Sequence, residues 1–404
     1  MNILFLSISS LPHISEHSIS LDLIHEFRRN GHEIYIVCGL EKKENKDTFV
    51  AKEDGCSVLR VRIGNNKKAN LIEKGLTTLF LPYYYISAIK KYYANIKFDL
   101  VLYPTPPITQ VKTVKYIKRR DGAKSFLLLK DIFPQNAVDM QMLSTHGLKS
   151  LLYRFFRNEE KQLYKISDYI GCMSQANVDY VLKNNPEIAQ AKIGVCPNSI
   201  EVYEKKTSEV ERSQIKEKYL FPNDKKIFVY GGNLGKPQGI DFLIECLKSQ
   251  QNNTNVFFVI VGDGTEYAKL ERYVNQDRPA NVKLMKRLPK EEYDTLVNIC
   301  DVGMIFLDYR FTIPNFPSRM LSYLQAQKPI LVCTDESSDM GKIAEENKFG
   351  WYAHSNDVNA FVKCMDMIEA ENLVEYGKNG FAFLKGNYDV AISYKKIMDE
   401  MYGA

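Results

Sequence analysis

A chain of 404 residues exceeds what a single hydrophobic core organises, so two domains of similar size are expected. Its 45% of hydrophobic residues is ordinary for a globular protein, and a net charge of +5 is too small a bias to indicate a nucleic-acid partner. Eight cysteines are dispersed without a CxxC pair or a neighbouring histidine, which excludes a disulfide frame and a zinc cluster and fits a reducing, cytoplasmic setting.

The first apolar run, residues 2–8, reads as a buried strand, because the opening lacks a basic n-region and turns polar too early for a secretory signal. Helical spacing of Ile19, Leu23, Ile24 and Phe27 follows, Gly31 closes it, and residues 33–37 return to a strand. Short apolar runs at 58–63, 100–103, 126–129, 169–173 and 193–196 alternate with helical patterns, which predicts a parallel sheet with helices on both faces. From Cys196 to Asp224 the apolar periodicity lapses among turn formers and charge, and the interdomain link is placed there. A second alternating series has strands at 227–230, 256–261, 282–285, 302–307 and 329–333. The expected division is residues 1–200, residues 201–386 and a terminal segment 387–404, whose helix over 390–401 can pack on either domain. No apolar run approaches a membrane-spanning length, since the run from Leu76 is interrupted by Pro82 and flanked by lysines.

An open parallel sheet binds ligands beyond the carboxyl ends of its strands. In the second half two segments there are the most informative, FVYGGNLGKPQG from Phe228 and PNFPSRMLSYLQAQKP from Pro314. Each is a strand or turn running into a helix, so each can aim unpaired N–H groups and a positive helix end at an anion. Gly231 and Gly232 permit close backbone approach, Lys236 adds a cation, and Pro317-Ser318-Arg319 starts a helix with a guanidinium. Two such ends would cradle a diphosphate. The Gly262-Asp263-Gly264 turn follows another strand, and the loop with Arg287 and Leu288 a third.

In their order and spacing, GGNLGKPQG, VIVGDG, CDVGMIFL, PSRMLSYLQAQKPIL and the first-half LKDIFPQNAVD resemble retaining, nucleotide-sugar-dependent glycosyltransferases of group 1, family 4 type. The chain most resembles the subgroup that builds bacterial capsule, O-antigen and colanic-acid repeat units, and the similarity spans nearly its whole length. The resemblance implies the GT-B fold: an α/β protein of two Rossmann-like domains facing across a cleft, an acceptor-binding one first and a nucleotide-sugar-binding one second. It implies donor contacts from Gly232, Asn233, Lys236 and Gln238, from Gly262, Asp263, Arg287 and Leu288, and from Phe316, Pro317, Ser318, Arg319 and Ser322. The superfamily's loop Arg and Lys fall here on Asn233 and Gln238, and its paired glutamates on Pro314 and Ser322. Diphosphate binding is therefore transferred to Ser318 and Arg319, and ribose binding to Ser322.

The superfamily's first-domain His-Asp pair appears as Lys130-Asp131. The resemblance makes Lys130, Asp131 and Glu16 the catalytic candidates, and Ser15, His17 and Pro106 the acceptor contacts. The plain alternatives are a helix cap or turn former for Asp131, a capping role for Glu16, Ser15 and His17, and a rigid rim for Pro106. His13 and His17 have no third ligand at useful spacing, so no metal and no cofactor are expected.

Residues 67–97 interleave Lys67, Lys68, Lys74, Lys90, Lys91 and Lys97 with aliphatic residues and five tyrosines, opposed only by Glu73. Such a segment suits an anionic membrane surface, or else an amphipathic helix that buries its aromatic residues against the sheet. The implied reaction moves a sugar from a nucleoside diphosphate, with uridine and an N-acetyl sugar preferred, to a polyprenyl-diphosphate-linked saccharide. The enzyme would sit peripherally on the inner face of the plasma membrane, with no nucleic acid as partner. The competing readings are a nucleotide-sugar epimerase and a binding-only subunit, the latter because the usual Glu pair, Arg and His are absent.

Overall fold

The structure is a computed structural model describing residues 1–8, 10, 11, 13–65, 71–147, 149–204 and 207–403. The chain divides into two compact units, Met1–Glu201 with the segment returning from Val390, and Val202–Asp389. Both are α/β, with helices connecting the strands of one mainly parallel sheet.

The first unit has strands β1 (Asn2–Ser7), β2 (Glu33–Glu41), β3 (Phe49–Glu53), β4 (Cys56–Ile63), β5 (Leu100–Pro104), β6 (Lys124–Leu129), β7 (Tyr169–Cys172) and β8 (Ile193–Val195). They lie in the order β3-β4-β2-β1-β5-β6-β7-β8. Strand β3 departs from the expected all-parallel sheet, pairing antiparallel with β4 at its edge. Asp54 and Gly55 both take positive φ, 45° and 73°, the backbone a tight two-residue hairpin demands. β1 and β6 each carry four consecutive apolar residues, all buried, as expected for strands covered on both faces, and Phe5, Phe27 and Phe126 are among the largest fully buried side chains. Each such ring contributes on the order of 2–3 kcal/mol by leaving water.

The last helix, Val390–Tyr402, belongs to this unit. Tyr394 meets Phe27 edge-on at 4.9 Å between ring centres, and its hydroxyl lies 2.9 Å from His32 Nε2. The Val390 N–H donates to the Ile200 carbonyl at 2.9 Å.

The second unit has β9 (Lys226–Asn233), β10 (Val256–Asp263), β11 (Val282–Lys286), β12 (Val302–Phe306), β13 (Ile330–Thr334) and β14 (Gly350–His354), in the order β11-β10-β9-β12-β13-β14. All pairs are parallel. Strand β14 was absent from the expected series. The stretch read as a link is only partly one, for it contains the helix Glu209–Tyr219. Ser208 and Glu211 form its capping box, worth about 1 kcal/mol, and Arg212 pairs with Asp301 at 2.9 Å. This helix escapes an apolar-period reading because its buried residues, Lys216 and Tyr219, are polar.

Residues 66–70 fall outside the described residues, so Lys67 and Lys68 are placed only in sequence. Beyond them, Leu71–Tyr92 is one helix running through Pro82. It buries Leu81, Tyr85, Ala88 and Ile89 and leaves Leu76, Leu79, Phe80, Tyr83 and Tyr84 exposed. The helix thus buries part of its aromatic and aliphatic residues, as the amphipathic reading expects, and leaves others in solvent. All eight cysteines are buried and unpaired.

Candidate functional site

In the second unit the order of strands reverses between β9 and β12, where consecutive connections leave the sheet to opposite sides and open a crevice at the carboxyl edge. The loop after β9 carries Gly231 to Gly239, and the loop after β12 leads to Arg319. Parallel register sets Gly262 opposite Gly232 and Asp263 opposite Asn233. It also sets Lys286 opposite Gly262, so Arg287 and Leu288 begin the loop at the next strand end.

The glycines permit these loops to touch. A Cβ at Gly262 would collide with the Gly232 carbonyl, and one at Gly264 with the Leu234 backbone. Gly232 has φ +128°, a conformation that disfavours any L side chain, and its missing Cβ would lie 3.4 Å from Arg319 Nη2. Gly231 corrects the expectation of close ligand approach: its open space is filled by the Tyr293 phenol.

Arg319 is the central cation. Its guanidinium carbon stands 4.5 Å from the Tyr230 ring centre, and Nη1 is sealed from solvent without a hydrogen-bond partner. Burial alone would lower its pKa, but the neighbouring Tyr230, Tyr323 and Tyr293 oxygens more than offset this, and the group stays charged. Among the described residues no carboxylate forms an ion pair with it.

Other expected donor contacts are arranged differently. Asn233 Nδ2 donates to Gln238 Oε1 at 2.7 Å, and the same oxygen accepts the Gly235 N–H at 3.2 Å, so these two side chains brace the loop. Lys236 is exposed on the short 3-10 turn Lys236–Gln238, and the α-helix follows only at Ile240–Ser249. The helix carrying Arg319 spans just Arg319–Gln325, and the Ser318 side chain does not cap it. A strong helix-end field was expected from this segment, and seven residues are too few to supply one. Pro317 precedes the cap instead of opening the helix, Ser322 lies one turn past Arg319, and Phe316 stacks on Tyr388 at 6.1 Å.

Asp335, just past β13, is a group sequence reasoning missed. Burial pushes its carboxyl up to about 6, against the Ser337 and Ser338 N–H groups that it accepts, and Oδ2 has no partner.

In the first unit Thr105 ties two strand ends together. Its hydroxyl accepts the N–H groups of Lys130 at 3.0 Å and Asp131 at 3.2 Å. Both acidic and basic side chains keep part of their surface in solvent, yet the dense protein around them shifts both toward neutrality. Burial lowers Lys130 to about 8, and burial raises Asp131 to about 6 although Asn136 Nδ2 donates to both its oxygens at 2.8 Å. Pro106, at the same rim, is exposed.

Glu16 turns back on its own loop, accepting the His13 N–H at 3.2 Å, and Ser15 bonds His13 Nδ1 at 2.8 Å. The helix cap is Ser18, which accepts the Leu21 N–H, so none of the three expected residues performs it. His17 Nδ1 lies 3.1 Å from Asp22 Oδ1. The structure also supplies the third group the sequence reading found lacking, since His17, Asp22 and His25 come within 4.8 Å of one another. All three already have protein partners: besides the His17–Asp22 contact, Asp22 accepts the Glu201 N–H at 3.1 Å and His25 Nε2 donates to the Ile14 carbonyl at 2.6 Å.

NMR titration is expected to show the Asp131 carboxyl ionising near pH 6 and the Lys130 ammonium near 8. Asn136→Ala removes bonds that favour the carboxylate, so the Asp131 midpoint should move further up; a midpoint near 4 in the wild type would contradict the burial account.

Residues 211–380 match the family model described as glycosyl transferases group 1. The chain is 25% identical over 336 residues, 82% of this chain and 80% of the relative, to a probable glycosyltransferase, WbjE, of Pseudomonas aeruginosa. It is 19% identical over 251 residues, 61% of this chain and 60% of the relative, to a putative colanic acid biosynthesis glycosyl transferase, WcaI, of Escherichia coli. Among solved structures, sucrose-phosphate synthase from Thermosynechococcus elongatus matches with a TM-score of 0.76 and 13% identity, covering 100% of this chain and 99% of that one. Anabaena Alr3699/HepE in complex with UDP and glucose matches with a TM-score of 0.71 and 15% identity, covering 100% of both chains.

Proposed function

Since residues 211–380 are a group 1 glycosyltransferase domain in a chain of the GT-B fold, we propose that this enzyme transfers a sugar from a uridine-diphosphate N-acetyl sugar to a saccharide hydroxyl on a polyprenyl-diphosphate carrier, in surface-polysaccharide synthesis. The observation that carries the reading is Arg319, a charged guanidinium at the strand-order reversal with a buried nitrogen that no group among the described residues satisfies. An anion is the natural occupant beside it. The names of relatives support the rest: UDP and glucose with HepE, and colanic acid with WcaI.

As the glycosidic bond to the donor breaks, negative charge grows on the leaving diphosphate. Arg319 stabilises that charge, with help from Lys236 and the loop amides around Gly232, and no metal ion is assigned to this work. Configuration at the sugar is retained, with the departing phosphate helping to deprotonate the acceptor. Asp131 and Lys130 serve the acceptor side, the carboxylate receiving a hydroxyl and the ammonium supplying a cation.

The protein attaches peripherally to an anionic membrane, on its cytoplasmic face. The helix Leu71–Tyr92 exposes Leu76, Phe80 and Tyr83 on one stripe at helical spacing, and Leu151 and Phe155 of the helix Lys149–Ile166 are exposed as well. Lys112 sits over the Tyr83 ring at 4.6 Å, adding a cation to an apolar surface. Among the described residues no helix is long and apolar enough to cross a membrane.

Arg319→Ala should weaken uridine diphosphate binding at least tenfold in calorimetry, about 1.4 kcal/mol, with circular dichroism checking that the variant remains folded. Unchanged affinity would reject the donor site. The rate should follow a bell in pH, falling below about 6 as Asp131 takes up a proton and above about 8 as Lys130 loses its charge. Asp131→Asn should erase the acid limb from whatever rate remains. In liposome co-sedimentation, Phe80→Ser with Leu151→Ser should abolish binding to anionic vesicles, and full retention would remove the membrane surface from the reading.

A further inference from the structure

Three tyrosines from three separate elements converge on Arg319. Tyr230, on β9 and fully buried, presents its ring to the guanidinium at 4.5 Å. Tyr323 follows Arg319 by four residues, so one helical turn carries it alongside. Its hydroxyl accepts the Gly231 N–H at 3.2 Å and lies 3.3 Å from the Met304 carbonyl. Tyr293, from the helix Lys290–Ile299, brings its hydroxyl to 3.4 Å from that of Tyr323.

Two glycines make room for this arrangement. A Cβ at Gly303 would enter the Tyr323 ring, and one at Gly231 the Tyr293 phenol. The backbones of β9 and β12 therefore seat the tyrosines directly, which limits how far the rings can shift. Burial raises the pKa of Tyr323 to about 12 and that of Tyr293 well above the ordinary phenol value, so all three rings stay neutral at physiological pH.

A carboxylate is the ordinary companion of a guanidinium taken out of water. Placed here it would neutralise the cation and occupy the donor edge that a phosphate needs. The Tyr230 face attracts the same cation through its ring quadrupole without neutralising it, and Nη1 stays unclaimed. The orphaned Nη1 is what that substitution produces.

We propose that Tyr230, Tyr293 and Tyr323 form a carboxylate-free clamp that positions the Arg319 guanidinium for the diphosphate of the nucleotide-sugar donor. The clamp rests on the donor-site reading and deepens it: the tyrosines are positioning residues, and the ligand class they prepare for is a nucleoside diphosphate. Strand β9 contributes both the clamp, through Tyr230, and the loop glycine against which Arg319 lies, so the cation and the loop amides are held in one register.

The test is a double-mutant cycle on the full chain, read as the Kd for uridine diphosphate by calorimetry. Tyr230→Leu and Tyr293→Leu are each expected to weaken binding about tenfold. Tyr230→Phe should restore affinity to within about threefold, since the ring that faces the guanidinium remains although the bond to the Asn233 carbonyl is lost, and Tyr293→Phe should do the same because its ring still packs against Gly231. In an Arg319→Ala background the leucine substitutions should change affinity by less than about twofold, because the group they position is gone. Wild-type affinity in both leucine variants, or losses that add fully to that of Arg319→Ala, would overturn the clamp. If Arg319→Ala weakens binding and the tyrosine variants do not, the clamp alone falls; if Arg319→Ala has no effect, the donor-site reading falls with it. Tyr293 is only partly buried, so Tyr293→Leu carries the test should Tyr230→Leu fail to fold.

Discussion

A guanidinium that pairs with no carboxylate among the described residues sets the packing of the second unit's carboxyl edge. Placing Arg319 at the carboxyl ends of β9 and β12 removes much of its hydration, and the protein replaces that water with the Tyr230 ring face and two neighbouring tyrosines instead of a counter-charge. The requirement spreads outward from there. Tyr293 and Tyr323 need space, so Gly231 and Gly303 cannot carry side chains, and Gly232 turns through a positive φ beside the cation. The pair of loops that could otherwise be read as flexible turns is in this way fixed by one charge.

The first unit handles charge in the opposite manner. Lys130 and Asp131 are adjacent in sequence at the end of β6, and burial moves both toward neutrality, one down and the other up. Asn136 and Thr105 hold the backbone and the carboxylate in place without adding charge. A permanently charged guanidinium suits a site that must hold an anion. Two groups that titrate near neutral pH suit a site that must exchange a proton.

Much of the architecture was legible because periodicity reports burial. Both strand series, the helix after β1 and the helix from Val390 follow from apolar spacing, since strands covered on two faces are continuously apolar. Two of the misses share one cause, local chemistry overriding periodicity. The Asp54-Gly55 hairpin is a turn signal inside an otherwise parallel pattern, and the helix Glu209–Tyr219 is held by its caps and polar contacts. Strand β14 instead packs Trp351 against Tyr376 at 4.5 Å, a contact across 25 positions that local spacing does not announce.

Sequence alone determined the kinds of groups present at the strand ends: glycine loops, a Pro-Ser-Arg turn and a Lys-Asp pair, each following an apolar run. Such placement is local, because a strand's end and the loop beyond it are contiguous in the chain. Only the tertiary structure decided which of those groups are free to act. Asn233 and Gln238 satisfy each other, Glu16 folds back on His13, and Arg319 is left open because tyrosines 89 positions before it, 26 before it and 4 after it surround it. Whether a polar group is available depends on every neighbour that could satisfy it, and those neighbours are assembled by packing across the sheet, which no local spacing encodes.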